Sequence, residues 1–384
     1  MQCPRCHNQD AQMFYQIDGQ YYCRQCIPFH RVFVNEERQT ESKEFLFHKP
    51  ISYALNFQLS PSQQKISLRL LENYQNNLNS LVLAVCGSGK TEVVFELICY
   101  ALNQGHRVCY CVPRKELVIE LYQRLKEAFC NVTIGLLYGG HIENVDSNFI
   151  VCTMHQLYRF ENQIGFQLMI ADEVDAFPYY GNDVLNEMFN RCCVGRYVKL
   201  SATIPLLKDN QDEVLIMNRR YHGYDLPVPK LLIIPTIFQG IVCKWLISHL
   251  QKKVIIYVSS IACVHKMVTY LASSFKVAGV SSQHMNNQET IQRFKDNQLD
   301  VIVSTTLLER GITIEDVQVI VYQGEKSIFD ERTLTQIAGR VGRKPNHPSG
   351  KVYILASGKT KGIQQCIQNI KKLNSNRCLI CSKA

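Results

Sequence analysis

The sequence predicts an α/β fold: two tandem parallel-sheet domains preceded by a small zinc-binding module. Three observations lead there. Two CxxC pairs open the chain. A Gly-rich loop carrying Lys-Thr ends an apolar run near residue 90. From about residue 51, short β-rich runs alternate with helix-patterned segments. Such alternation marks a parallel sheet with crossover helices. With 384 residues, 46% hydrophobic and 20% charged, there is material for two or three domains and a large core. The net charge of +9 permits a polyanionic partner without demanding one.

The opening residues "MQCPRCHNQD" contain no apolar signal core, and no run of about twenty apolar residues occurs, so no membrane span is expected. The 17 cysteines read as reduced, intracellular thiols, some bound to metal. Cys3 and Cys6 form one knuckle, Cys23 and Cys26 a second, with sixteen residues between. Four thiolates complete the closed tetrahedral shell of structural zinc, Zn²⁺, and metal binding would supply the folding free energy that about thirty residues cannot. His7 reads as a surface histidine. A third pair, Cys378 and Cys381, lacks two further ligands and is given no essential role.

The charged stretch Asn35 to Glu44, "NEERQTESKE", reads as a linker, giving a module and linker over 1–50. In 51–226 the expected strands are Leu81–Val85, Val108–Val112, Phe149–Cys152, Gln167–Ala171 and Tyr197–Leu200, with helices such as Thr91–Leu102 and Arg114–Phe129 between them. The prolines of "YDLPVPK" mark a second linker. In 227–384 the strands are Val254–Val258, Val277–Val280, Val301–Ser304, Val317–Tyr322 and Val352–Ala356.

"AVCGSGKT" (Ala84 to Thr91) fits a P-loop between a strand and a helix. The backbone around Gly87, Ser88 and Gly89 would cradle the phosphates of ATP, Lys90 would reach the β/γ-phosphates, and Thr91 would hold Mg²⁺. At the end of an apolar strand, "FQLMIADEVD" offers Asp172 for the metal and Glu173 for the attacking water. Charge on the transferred phosphoryl group usually needs arginine. Arg340 and Arg343 in "QIAGRVGR" supply it from the second α/β domain, which predicts a site that ATP closes and hydrolysis opens. The alternative is a basic turn touching phosphate backbone.

In this order, the motifs resemble superfamily 2 helicases of the DEAD type, which implies two RecA-like domains over about residues 52–356. "LSPSQ" resembles the adenine-reading segment, with Ser60 as N-cap, Pro61 at the first helical position, and Gln63, or its rival Gln64, on the base. "VPRKEL" and "CTMHQLYRF" resemble DNA-contact segments, Asp172 to Asp175 the DEAD-type box, and Ser201-Ala202-Thr203 the motif coupling hydrolysis to movement through Ser201 and Thr203. "STTLLERGITI" and "QIAGRVGR" resemble motifs V and VI. Two departures stand out. Ile337 replaces an Arg common in motif VI, and Thr313 replaces the Asp of DEAD-box RNA helicases.

Within that group the chain resembles the ComFA family of late-competence DNA-uptake ATPases, on the four-Cys module, "GSGKTE", "DEVDAFPY", "SATIP" and "LERGIT". The resemblance implies an ATPase stimulated by single-stranded DNA, helping pull transforming DNA into the cytoplasm at the inner face of the membrane, in association with ComFC. Arg114, Thr153 and His155 in the first domain, and Thr305 and Thr306 in the second, are the expected DNA contacts. Arg114 capping its helix and His155 packing locally are the competing readings. "FPYY" (Phe177 to Tyr180) suits base stacking or packing beneath the DEVD turn, the latter favoured. The absence of an obvious wedge insert favours translocation over duplex unwinding. A PriA-like replication-restart helicase and a non-motor scaffold with a vestigial ATPase are the alternatives.

Overall fold

A computed structural model describes residues 1–36, 40–41, 43, 45, 50–85, 87–202, 212–281, 286–305 and 314–375. The chain divides into two compact units. The first holds Met1–Leu83 with Lys90–Ile216, and the second Ala84–Gly89 with Met217–Leu379.

The first unit opens with a hairpin, β1 (Phe14–Ile17) and β2 (Gln20–Cys23), joined at Asp18-Gly19 with both residues at positive φ. Then follow α1 (Pro61–Gln75), β3 (Asn79–Ala84), α2 (Phe95–Asn103), β4 (Val108–Val112), α3 (Lys115–Ala128), β5 (Ile134–Tyr138), β6 (His141–Glu143), β7 (Phe149–Thr153), β8 (Phe166–Asp172), α4 (Asp183–Cys192), β9 (Cys193–Ser201) and β10 (Asp212–Met217). Among the described residues these strands form one sheet in the order β10-β3-β9-β8-β4-β7-β5-β6. β3, β9, β8, β4, β7 and β5 run parallel, and β6 turns back antiparallel on β5. The central strands β4, β7 and β8 are buried along their whole length, as a parallel sheet covered on both faces requires.

The second unit contains β11 (Lys230–Ile233), α5 (Thr236–Leu250), β12 (Lys253–Tyr257), α6 (Ile261–Leu271), β13 (Val277–Val280), α7 (Asn287–Lys295), β14 (Val301–Ser304), β15 (Val317–Val321), α8 (Glu331–Ala338), β16 (Val352–Ala356) and α9 (Lys361–Ser375). Its sheet, in the order β11-β16-β15-β12-β14-β13, is parallel throughout. The ten strands expected from sequence are all present, with ends differing by a few residues. β1, β2, β5, β6, β10 and β11 were not expected. Among the described residues no helix is long and apolar enough to cross a membrane.

Two expectations change. The stretch Asn35 to Glu44 is not a loose linker where it is described. Glu41 bridges to Ile164, donating its N–H to Gln163 O at 2.9 Å and accepting from Gly165 N at 2.7 Å, while Lys43 O accepts from Gln167 Nε2. Backbone pairing outweighs the charged side chains, which can point away from it.

The cysteine module is also not a separate body. Arg5, between the cysteines of the first knuckle, is 1% exposed. Its Nη1 donates to the carbonyls of Phe29 (2.7 Å) and His30 (3.1 Å), and its Nε and Nη2 reach Glu161 Oε2 at 2.8 and 2.7 Å. Phe14, Phe29 and Val32 join the core that holds Leu157, Phe160 and Phe166. The pairing predicts that Glu161→Gln, which leaves a buried guanidinium uncompensated, costs about 3–5 kcal/mol in urea unfolding. Replacing both partners, Arg5→Met with Glu161→Leu, should cost less than the single change.

Candidate functional site

The site grows from the order of three strands. β9 lies between β3 and β8, with Leu83 opposite Ser201 and Asp172 opposite Leu200. Ser201, fully buried, and Asp172 therefore end neighbouring strands of one parallel sheet, the side on which such sheets bind ligands.

Lys90 Nζ lies 2.6 Å from Asp172 Oδ1. Burial works against the lysine charge, but Asp172, Glu173 and Asp175 outweigh it and raise its pKa. Burial raises the Asp172 carboxyl, and Lys90 pulls it back. Glu173 N donates to Asp172 Oδ1 at 2.7 Å, and the Tyr110 hydroxyl to Oδ2 at 3.2 Å. Burial first, then Asp172, pushes the Tyr110 phenol well up, so it remains a neutral donor. Glu173 sits at φ 55°, in the left-handed region, and Val174 N returns to Leu200 O at 3.2 Å. The DEVD segment thus leaves the strand in a tight, backbone-anchored turn.

Thr91 is nearly buried, and Arg124 Nη1 lies 3.5 Å from its Oγ1. Arg124 also pairs with buried Glu92, the residue after the P-loop threonine. A 3₁₀ turn, Glu92–Val94, precedes α2, where an uninterrupted helix from Thr91 was expected. Gly87 and Gly89 take φ 81° and 72°, which a side chain would resist, and Ser88 is buried. Asp172, Glu173 and Asp175 all act electrostatically on Lys90. Carboxylate and hydroxyl oxygens are the donor type that Mg²⁺ takes.

Gln63 is buried at the start of α1, where Ser60 N donates to its Oε1 at 2.9 Å and its own N–H reaches Ser60 Oγ at 3.4 Å. The expected N-cap is thus a full capping box, while Gln64 is exposed.

The expected DNA contacts are less uniform. Arg114 is half-buried at the N-cap of α3 with no side-chain capping bond. Thr153 is buried where β7 ends. His155 packs against Phe29 of the cysteine module, ring centroids 5.5 Å apart, and burial lowers its pKa, so local packing describes it. Thr305 is half-buried just after β14. Thr203, Thr306, Thr313, Cys378 and Cys381 lie outside the described residues. "FPYY" splits: Tyr179 is buried, as packing requires, while Phe177 projects, 78% exposed.

In the second unit, Arg340 is buried after α8, and Arg343 Nε donates to Gly339 O at 3.1 Å. Sequence reasoning passed over Arg220. This residue, 2% exposed, donates to the carbonyls of Val341 (2.6 Å), Gly342 (2.5 Å) and Gly339 (3.2 Å), clamping the turn that carries both arginines. Its neighbour Tyr221 donates its N–H to Gly87 O at 3.4 Å, and Val85 N bonds Met217 O at 3.0 Å. Nothing in "NRRYHG" separates Arg220 from Arg219; only burial does.

The Sγ atoms of Cys3, Cys6, Cys23 and Cys26 all lie within 4.8 Å of one another, with Cys3–Cys26 and Cys6–Cys23 at 3.7 Å. A tetrahedron of Zn–S bonds of about 2.3 Å has edges of about 3.8 Å. The four thiols fit the ion.

A DEAD/DEAH box helicase model matches residues 60–211, and a helicase conserved C-terminal domain model matches 239–345. The structure of S. cerevisiae Dbp5 bound to RNA and ADP BeF3 is similar at a TM-score of 0.61 and 18% identity, covering 83% of this chain and 92% of that one. The two sheets are therefore RecA-like domains, and the molecule is a helicase-type ATPase. Competence protein ComFA of Bacillus subtilis (strain 168) is 34% identical over 400 residues, 97% of this chain and 85% of that protein. The ComFA of Streptococcus pneumoniae (strain R6) is 31% identical over 392 residues, 97% and 90% respectively. The chain belongs to the ComFA family of competence proteins.

Two outcomes are expected. Arg220→Ala should lower unfolding free energy by about 2–4 kcal/mol through three carbonyls left without a donor, and Arg220→Lys should restore only part of it. The purified chain should carry one equivalent of zinc by elemental analysis. Cys23→Ser should lose it and expose the module to protease.

Proposed function

We propose that this chain is an ATP-dependent single-stranded DNA translocase that drives transforming DNA into the cytoplasm during natural competence. The observation that carries the reading is the Lys90–Asp172 ion pair with Glu173 beside it, the P-loop side of an NTP-hydrolysing site in a chain of this family. Its working parts are a four-Cys module within 1–50 that packs on the ATP-binding domain over 51–226, and a helicase C-terminal domain over 227–384.

Lys90, kept charged by the carboxylates around it, exchanges Asp172 for the β/γ-phosphates of ATP, whose oxygens meet the P-loop amides of Gly87, Ser88 and Gly89. Thr91 and Asp172 would hold Mg²⁺, which neutralises phosphate charge when bound. Glu173, set off the strand by its left-handed backbone, orients and deprotonates the attacking water. Arg340 and Arg343 supply positive charge to the transferred phosphoryl group, with their turn held by Arg220. Gln63 or Gln64 faces adenine, and Ser201 with Thr203 couples hydrolysis to movement.

Arg114, Thr153, Thr305 and Thr306 grip phosphates without reading sequence. His155 adds no charge there, since burial favours its neutral form. Cys3, Cys6, Cys23 and Cys26 hold zinc in a closed tetrahedral shell. The protein works in the cytoplasm, peripherally at the membrane, with the DNA-uptake machinery and ComFC as partners.

Steady-state ATPase with and without single-stranded DNA tests the reading. Addition of DNA should raise turnover, and added salt should raise the half-saturating DNA concentration steeply through counterion release. Lys90→Ala should lower kcat at least about 100-fold while zinc content stays at one equivalent. Hydrolysis indifferent to DNA would sink the motor reading.

A further inference from the structure

The second unit carries an apolar face that neither ATP nor DNA chemistry uses. Helix α5 buries Cys243, Leu246 and Ile247 against its sheet, yet its outer side is also apolar. Ile237 is 79% exposed, Ile241 61% and Trp245 56%, with Phe238 and Ile233 exposed nearby. Ile237, Ile241 and Trp245 recur every four residues, so they form one row along the helix. The row is about 12 Å long, or two helical turns. Tyr270 of α6 flanks it, its ring carbons 3.6 Å from where a Cβ on Gly240 would stand. Exposed apolar rows of this kind mark interaction sites.

The charge around the row has one sign. No Asp or Glu occurs anywhere between Asp225 and Glu289, while the segment contains six lysines. Lys244 lies beside the row, its Nζ 5.8 Å from the Tyr270 ring centre, and Lys266 stands one turn before Tyr270 on α6. The nearby acid Glu325, beyond β15, accepts from Ser357 N at 3.1 Å.

We propose that this face docks an acidic amphipathic helix of another protein. Its apolar residues at i, i+3, i+4 and i+7 lie along Ile237, Ile241 and Trp245, and its flanking carboxylates meet Lys244 and Lys266. An anionic membrane fits less well. Lys252 is bound to Asp316 at 2.6 Å, and Lys253 donates to Lys295 O at 3.2 Å. The cations left by the row are fewer than the roughly four to eight of lipid-binding basic clusters. Bases of nucleic acid stack on aromatic rings, and this row is mostly isoleucine.

Trp245 is the only tryptophan in the chain, so its emission reports this face alone. A displayed library of helical peptides, apolar at i, i+3, i+4 and i+7 with Asp, Glu, Lys and Arg randomised on the flanks, is selected on the full-length zinc-loaded chain. The proposal expects enrichment of Asp and Glu and a blue shift of Trp245 emission on titrating the enriched peptide. Lys244→Glu should weaken that peptide about tenfold, restored by Lys at the facing peptide position. Lys244→Glu should leave DNA-stimulated ATPase unchanged. Unbiased or basic flanks, a peptide that binds without shifting Trp245, or a Trp245 shift given by phosphatidylglycerol vesicles but by no selected peptide would overturn it.

Discussion

A buried carboxylate is tolerable only when its charge is answered, and the end of the first unit that holds Asp172 is organised around that demand. Lys90 and Asp172 lie 2.6 Å apart. Tyr110 and the Glu173 amide take up the remaining acceptor capacity of Asp172. The β3-β9-β8 order brings the two there, because β9 sets the P-loop strand and the DEVD strand on either side of Ser201. Removing the lysine charge would leave the Asp172 carboxylate buried without its counter-ion. Phosphate oxygens would compete with Asp172 for Lys90, since a triphosphate offers it several negative charges in place of one.

Most of the fold was legible because two signals agreed. The core strands are short β-branched runs, and the helices between them carry a different period, so ten strands lay where pattern alone puts them. β5 and β10 were missed because "IGLLY" and "DEVLIM" mix glycine or acids into short runs. β6 is three residues, too short for any period to show. The linker reading of Asn35 to Glu44 failed because side-chain polarity says nothing about backbone pairing, and Glu41 joins the structure through its backbone.

At the candidate site, Lys90, Asp172 and Glu173 sit in local motifs, so spacing marks them as candidates, and the fold brings them together. The residues that hold those motifs in place come from distant parts of the chain. Arg220, Tyr110 and the Arg124–Glu92 pair have no motif, since any segment that reaches the right place serves. His155 shows the converse. Its segment resembles a DNA-contact motif, yet Phe29, more than a hundred residues earlier, occupies the ring face.

Arg5 bears on how such a protein can be rearranged by evolution or by engineering. Its guanidinium is spent inside the module on carbonyls, and outside it on one carboxylate of the neighbouring domain. The four-cysteine module is therefore not a portable cassette. Transplanted onto another α/β domain, it would need an acid standing where Glu161 stands. Without one it would arrive with an unanswered charge in its interior, so module and domain are expected to be inherited together.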